Sequence, residues 1–183
     1  AYEVTTRLVG SEMCIRDRPE IVIPDSVTTI EEEAFSGCNS LKEIIVPDSV
    51  VKMGNHVFGG CRSATRIVFP KYLTYLPGSG VSFCNYMVEF VFPENVKSIS
   101  NYFFYGCISL KEIVIPDTVT TIDFRAFWDC TSLTRITIPA SVTKIDSTAF
   151  DGCKKDKLVW VVTPGSYAET YAKKNYYHYV YAK

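Results

Sequence analysis

The chain has 183 residues, of which 47% are hydrophobic, and its 19 basic and 20 acidic side chains give a net charge of −1. This length and apolar content suffice for one folded domain or one short repeat array. The near-zero charge provides no attraction for nucleic acid or an anionic membrane, and no apolar run reaches the roughly 18 residues of a membrane span. We therefore expect neither a nucleic-acid partner nor direct membrane insertion.

Residues 1–18 do not share the pattern of the rest of the chain. The segment from Val9 to Arg18 resembles the translation of a transposase adaptor used in preparing sequencing libraries. We interpret residues 1–18 as a non-native or disordered segment, with a genuine linker as the alternative. On this interpretation the native N-terminus, with any signal peptide and N-terminal cap, is not part of the sequence.

Residues 19–162 carry an internal repeat of 23 residues. Prolines mark one position of this repeat and cysteines another: Pro24, Pro47, Pro70, Pro93, Pro116 and Pro139, and Cys38, Cys61, Cys84, Cys107, Cys130 and Cys153. A phenylalanine column keeps the same step and is interrupted only at Val81. Such periodicity is typical of solenoids, in which each short unit buries its apolar face against the next. We predict an array of about six coils.

The repeat unit is clearest in Leu110–Ser132. Alternating apolar residues in Leu110–Ile115 predict a strand, which a Pro-Asp pair ends in a turn. Val119 and Ile122 predict a second, shorter strand, and the Ala-Phe pair that follows indicates one helical or 3₁₀ turn. Stacked units would place equivalent strands side by side in parallel, about 4.8 Å apart.

The unit I-P-D-x-V-T-x-I-x-x-x-A-F-x-G-C resembles the 23-residue repeat of BspA-like bacterial surface proteins, from Pro19 to the end of the chain. The resemblance implies a leucine-rich-repeat solenoid, with a parallel β-sheet of short strands, one helical or 3₁₀ turn in each coil and a C-terminal helix-strand cap. It also implies a cell-surface or secreted location and a role in adhesion. Fold transfers within such a family more readily than function does.

Residues 163–183 resemble the terminal cap of this family. The segment Tyr167–Lys174 is expected to be a helix, with Ser166 as its N-cap. Because the proline after the last strand is displaced to Pro164, we expect a two-residue insertion within Lys154–Lys157. The tyrosines after the helix are expected to cover the final coil: Tyr176, Tyr177, Tyr179 and Tyr181.

Residues with reactive side chains are few. The six column cysteines are expected to be small buried side chains, with a disulfide ladder between coils as the alternative. No C-x-x-C pair is present, so we predict no metal site, and neither His56 nor His178 has a catalytic partner in the pattern. Without a glycine-rich phosphate loop or a nucleophile motif, we also predict no cofactor and no enzymatic activity.

Two surfaces could bind a partner. The main strands would expose a stripe of β-branched residues from Val22 to Thr137, which strand propensity alone explains. The sharper candidate consists of aromatic residues that replace mostly small or polar residues of other coils: Tyr102, Tyr105, Phe124 and Trp128. Tyr105 and Trp128 should lie one above the other outside the core. Such a patch suits a protein or carbohydrate contact, and packing against a loop or a neighbouring domain is the alternative.

These observations predict a non-catalytic, protein- or glycan-binding repeat module of a bacterial cell-surface protein, with a role in adhesion. The alternative is a passive structural spacer in a larger multidomain surface protein. A spacer needs only uniform coils and a near-neutral surface, whereas a binding module needs the aromatic residues.

Overall fold

A computed structural model of the chain describes residues 18–183 and the backbone of Arg7 and Leu8. The prediction about residues 1–18 therefore falls almost wholly outside the described residues. In chain order the elements are β1 (Arg7–Leu8), β2 (Thr29–Ile30), β3 (Glu43–Ile45), β4 (Lys52–Met53), β5 (Arg66–Val68), β6 (Glu89–Val91), β7 (Ser98–Ile99), β8 (Glu112–Val114), β9 (Thr121–Ile122), β10 (Arg135–Ile138), β11 (Lys144–Ile145), β12 (Val159–Val162), α1 (Tyr167–Lys174) and β13 (His178–Tyr181).

The strands pair in parallel with the equivalent strands of neighbouring coils, as the repeat predicts. The main strands form two ladders, β3-β5-β6 and β8-β10-β12-β13, and the shorter strands form the ladders β1-β2-β4 and β7-β9-β11. Glu43 pairs with Arg66 and Arg66 with Glu89, so the register of the main strands follows the 23-residue step. The predicted leucine-rich-repeat solenoid is confirmed.

The third side of each coil is a run of tight turns. Hydrogen bonds from residue i to residue i−3 close these turns, such as Ala34 N to Glu31 O at 3.3 Å and Cys38 N to Phe35 O at 3.2 Å. The turns do not continue as a helix, because two positions in most coils have positive φ. The second position is glycine in four coils, with φ between 69° and 79°: Gly37, Gly60, Gly106 and Gly152. Glycine adopts this conformation without the steric penalty that a Cβ atom brings.

The core is built from columns of identical side chains. Phe104, Phe127 and Phe150 stack with their ring planes 14° and 3° apart, and Phe35 stacks on Phe58 in the same way. At the interruption of this column by Val81, the buried rings of Phe69, Phe90 and Phe103 contact one another edge to face and fill the space. Gly80 makes room for Phe103, since a Cβ atom on Gly80 would lie 2.7 Å from Cε2 of that ring.

The six column cysteines are buried thiols that form no disulfide with one another, as the first interpretation predicts. Five of them donate a hydrogen bond to a main-chain carbonyl of the preceding coil, from Cys61 to Phe35 O at 3.2 Å through Cys153 to Phe127 O at 3.3 Å. The thiols therefore satisfy buried backbone acceptors as well as fill space. Burial raises the pKa of the Cys84 thiol to about 12, which keeps it protonated.

The cap closes the C-terminal end through stacked aromatic rings. Trp160 is fully buried and packs between Tyr171, 5.6 Å away between ring centroids, and Tyr177, 4.8 Å away. Ser166 is the N-cap of α1, as predicted, and its hydroxyl accepts from Glu169 N. The tyrosine tail covers the final coil only in part, because Tyr177 is buried whereas Tyr176 is 90% exposed.

Candidate functional site

The structure brings together the four aromatic residues identified in the sequence. Tyr105 stacks on Trp128 with ring centroids 4.7 Å apart and planes 11° apart. Tyr102 contacts both of these rings, at 5.9 Å and 6.3 Å, and meets the edge of Phe124 at 5.3 Å. Phe124 is exposed and the other three are partly buried. The residues form one continuous cluster across two neighbouring coils.

Two further residues complete this aromatic cluster. Phe83 lies 4.3 Å from Tyr105 between ring centroids and is 42% exposed. The guanidinium of Arg125 lies 3.9 Å above the ring of Trp128 and 4.9 Å from that of Phe124, which is within cation-π range. Neither residue is among those predicted from the sequence. Phe83 could have been found from its position, since it stands where four other coils have glycine.

The backbone of the turn side positions these side chains. Phe83, Tyr102 and Arg125 all have positive φ, between 52° and 56°. A bulky side chain is unfavourable in this conformation, so the surrounding contacts must hold it there. Phe83 lies against Gly106 in the next coil, where an added Cβ atom would come within 2.8 Å of its ring. Glycine at position 106 therefore determines where the Phe83 ring can lie.

A groove of about 500 Å³ runs along the same turn side and ends at Phe83, Tyr102 and Tyr105. This volume lies within the range of about 300–1,000 Å³ that is usual for ligand sites. The floor consists of small residues from three successive coils: Ser36, Gly37, Gly59, Gly60, Ser79 and Ser82. In the same two columns the small residues are replaced by aromatic ones at Phe83 and Tyr105, and these rings form the end wall of the groove.

The groove also has three polar side chains in its lining. Asn39, His56 and Arg62 line it, and all three are exposed. No carboxylate side chain is among the lining residues that the structure describes. The electrostatic character of this site is thus neutral to positive, which favours a neutral or anionic ligand over a cationic one.

The exposed face of the main strands is the second predicted surface. Val22, Ile45 and Val114 are between 53% and 88% exposed, so the stripe faces outward as expected. Arg66 pairs with Glu43 at 2.7 Å and with Glu89 at 3.1 Å, which satisfies its charge within the protein. Exposed pairs of this kind contribute little to stability.

Within residues 18–183 there is no group of three or more His, Cys, Asp or Glu side chains placed to hold a metal ion. Among the described residues, no helix has the length and apolar character needed to cross a bilayer.

Similarity to known proteins agrees with this architecture. Residues 14–134 and 82–172 match the sequence model described as a BspA type leucine rich repeat region, with six copies. A leucine-rich repeat protein from Bacteroides ovatus is 23% identical, with a TM-score of 0.69 over 87% of this chain and 47% of that one. A leucine rich cell surface protein from Faecalibacterium prausnitzii is 26% identical, with a TM-score of 0.50 over 81% and 54% of the two chains.

A leucine-rich repeat protein from Eubacterium ventriosum is 25% identical, with a TM-score of 0.62 over 72% of this chain and 42% of that one. The chain thus spans about half the length of these solved structures. No curated protein matches it significantly. Because the repeat model covers most of the sequence, and the parallel ladders have the expected spacing, the chain belongs to the BspA-type leucine-rich-repeat family.

Proposed function

We propose that this chain is a non-catalytic, protein- or glycan-binding module of a bacterial cell-surface protein, and that it binds through the groove and its aromatic end wall. The observation that carries the proposal is the Phe83 ring. This ring is 42% exposed at the end of the groove, on a backbone with φ of 56° where four other coils have glycine. An exposed ring held in an unfavourable conformation is better explained by contact with a partner than by folding.

The wider resemblance supports the proposed location and the absence of catalysis. A similar protein from Faecalibacterium prausnitzii is described as a cell surface protein, and repeat arrays of this type offer extended surfaces to partners. We propose the same location for this chain and a role in adhesion.

A structural spacer is the second candidate, and one observation favours it. The rings of Tyr105 and Trp128 stack on each other, and Phe83 covers part of Tyr105, so much of the aromatic surface is already in contact within the protein. A spacer would use this cluster only to join neighbouring coils. The two candidates differ in whether the exposed Phe83 ring has a partner.

Binding of the full chain to arrays of extracellular-matrix proteins and glycans tests the proposal. The informative variant is Phe83→Gly, because it removes the ring and installs the residue that the repeat accepts at this position. Tyr72→Ala is the matched control, since Tyr72 is 61% exposed and is not part of the groove. Saturable binding that Phe83→Gly abolishes and Tyr72→Ala retains is the expected result. An array on which the unaltered chain binds nothing would overturn the proposal and favour the spacer.

A further inference from the structure

The basic side chains of the groove have no ion-pair partner among residues 18–183. Arg62 is exposed, and among the described residues it has no ion-pair partner, in contrast to Arg66, which contacts two glutamates. His56 is also exposed on the groove, and no carboxylate lines it within the described residues. A guanidinium in this position can form paired, charge-assisted hydrogen bonds with a carboxylate or sulfate group.

The main-chain N–H groups of the floor already donate within the solenoid. Gly37 N donates to Gly59 O at 2.8 Å, and Gly60 N donates to Ser82 O at 2.7 Å. The same coil-to-coil pattern continues in the wall, where Phe83 N donates to Tyr105 O at 2.6 Å. A peptide that binds by strand addition needs free N–H and C=O groups. The floor is therefore poorly suited to a peptide strand.

Side-chain hydroxyls of the floor donate their protons within the protein. Ser36 Oγ donates to Gly59 O at 3.2 Å, and Ser82 Oγ donates to Ser79 O at 3.0 Å. Each hydroxyl has used its proton on the protein and keeps acceptor capacity on its oxygen. Ser36 is partly exposed, so a ligand hydroxyl can donate to its oxygen, whereas Ser82 is only 4% exposed. The exposed Asn39 amide in the groove can both donate and accept.

We propose that the groove binds an acidic saccharide, with a sugar ring packed on Phe83 and a carboxylate or sulfate group bound by Arg62. The C–H face of a pyranose ring is apolar and gains from contact with an exposed aromatic ring. This inference rests on the proposed binding function and narrows the ligand to one class. Three features of one groove favour this ligand class: the aromatic end, the partly exposed Ser36 hydroxyl, and Arg62, which has no carboxylate partner among the described residues.

The test measures binding of the full chain to two pairs of saccharides, at an ionic strength of about 0.15 M to limit nonspecific charge effects. Oligogalacturonate is compared with its methyl ester, which lacks the carboxylate charge, and dextran sulfate is compared with neutral dextran. The variants are Phe83→Gly and Arg62→Gln, with Arg135→Gln as the control for net charge. Arg135 is exposed on β10, outside the groove.

The unaltered chain is expected to bind at least one charged saccharide, and to bind its neutral counterpart about tenfold more weakly. Arg62→Gln is expected to bind the same charged saccharide about tenfold more weakly than the unaltered chain does. Phe83→Gly is expected to lose binding, and Arg135→Gln to keep it. A preference for neutral glycans, or equal loss in Arg62→Gln and Arg135→Gln, overturns the inference. Binding confined to proteins also overturns it while leaving the proposed function intact, whereas no binding to any glycan or protein contradicts both.

Discussion

Tyr105 and Trp128 stack with ring centroids 4.7 Å apart, although they are separated by 23 residues in the sequence. The repeat places them at the same position in successive coils, on the outside of the solenoid. Their contact therefore joins neighbouring coils at a point where other coils have only small or polar side chains. Tyr105 also lines the groove of the candidate binding site, whereas Trp128 does not, so the stacked pair supports one wall of the groove from behind.

The coupling between these rings can be measured by a double-mutant cycle. The double variant of Tyr105→Ala and Trp128→Ala should lose less unfolding free energy than the sum of the two single losses, because either change alone removes the stacked pair. The expected interaction energy is about 1 kcal/mol. Urea unfolding followed by circular dichroism provides the measurement. Tyr105→Ala combined with Tyr72→Ala serves as the additive control. Additive effects of the first pair would show that the stacking does not stabilise the fold.

Gly106 and Gly60 have nearly the same φ, 69° and 73°, but different surroundings. Gly60→Ala should cost about 1–2 kcal/mol, the penalty of a side chain in the left-handed region. Gly106→Ala should cost about 1 kcal/mol more, because its Cβ atom also collides with Phe83. In a Phe83→Gly background the cost at 106 should fall to that at 60. Equal costs in the unaltered background would contradict the role assigned to Gly106.

The column thiols should be unreactive in the folded protein. Burial raises the pKa of Cys84 to about 12, so the thiol stays protonated at pH 8, and the residue is fully buried. In a Cys14→Ser variant, which leaves only the column thiols, Ellman's reagent should react rapidly only after unfolding in urea. Cys153, 8% exposed, should be the first to react. Rapid modification of several thiols under native conditions would rule out this packing.

The cap should lose stability in acid through Glu169. Hydrogen bonds from Lys173, Gly165 N and Tyr181 lower the pKa of its carboxyl from 4.5 to about 2. Because the folded-state pKa is the lower one, the stabilisation is complete above about pH 4.5 and is lost as the pH falls toward 2. The stability difference between the unaltered chain and Glu169→Gln should therefore shrink across this range in urea titrations.

Glu112→Gln provides the control for the acid experiment, since Glu112 is exposed on β8. A difference between the unaltered chain and Glu169→Gln that stays constant from pH 6 to pH 3 would contradict the assigned hydrogen bonds.

The fold could be predicted because its determinants are local and repeated. Each position of the repeat needs the same kind of side chain in every coil. Six imperfect copies of the unit are therefore enough to identify the strand, the turn and the buried thiol. The end of the array was predicted less accurately. Arg135 pairs with Val159, a step of 24 instead of 23, so one extra residue lies before β12. Pro139 and Pro164 are 25 residues apart, so the second extra residue lies between the end of β12 and Pro164. The proline position alone cannot separate these two insertions.

The candidate site was only partly predictable. Tyr105 and Trp128 were found because both depart from the consensus at one position. Phe83 also departs from the consensus, but no other coil has an aromatic residue at its position, so the repeat predicts no stacked pair there. The groove depends on which way side chains lean from positive-φ residues, a property that sequence periodicity does not encode.

Backbone hydrogen bonds at nearly constant sequence offsets, such as Gly37 N to Gly59 O and Gly106 N to Trp128 O, connect each coil mainly with the next one. Such contacts depend on the adjacent coils and not on the total number of coils. Gain or loss of a complete unit thus preserves the interfaces of the remaining units, whereas gain or loss of a partial unit shifts every later column. A solenoid built this way can differ in length by whole coils while the cap continues to fit the last coil.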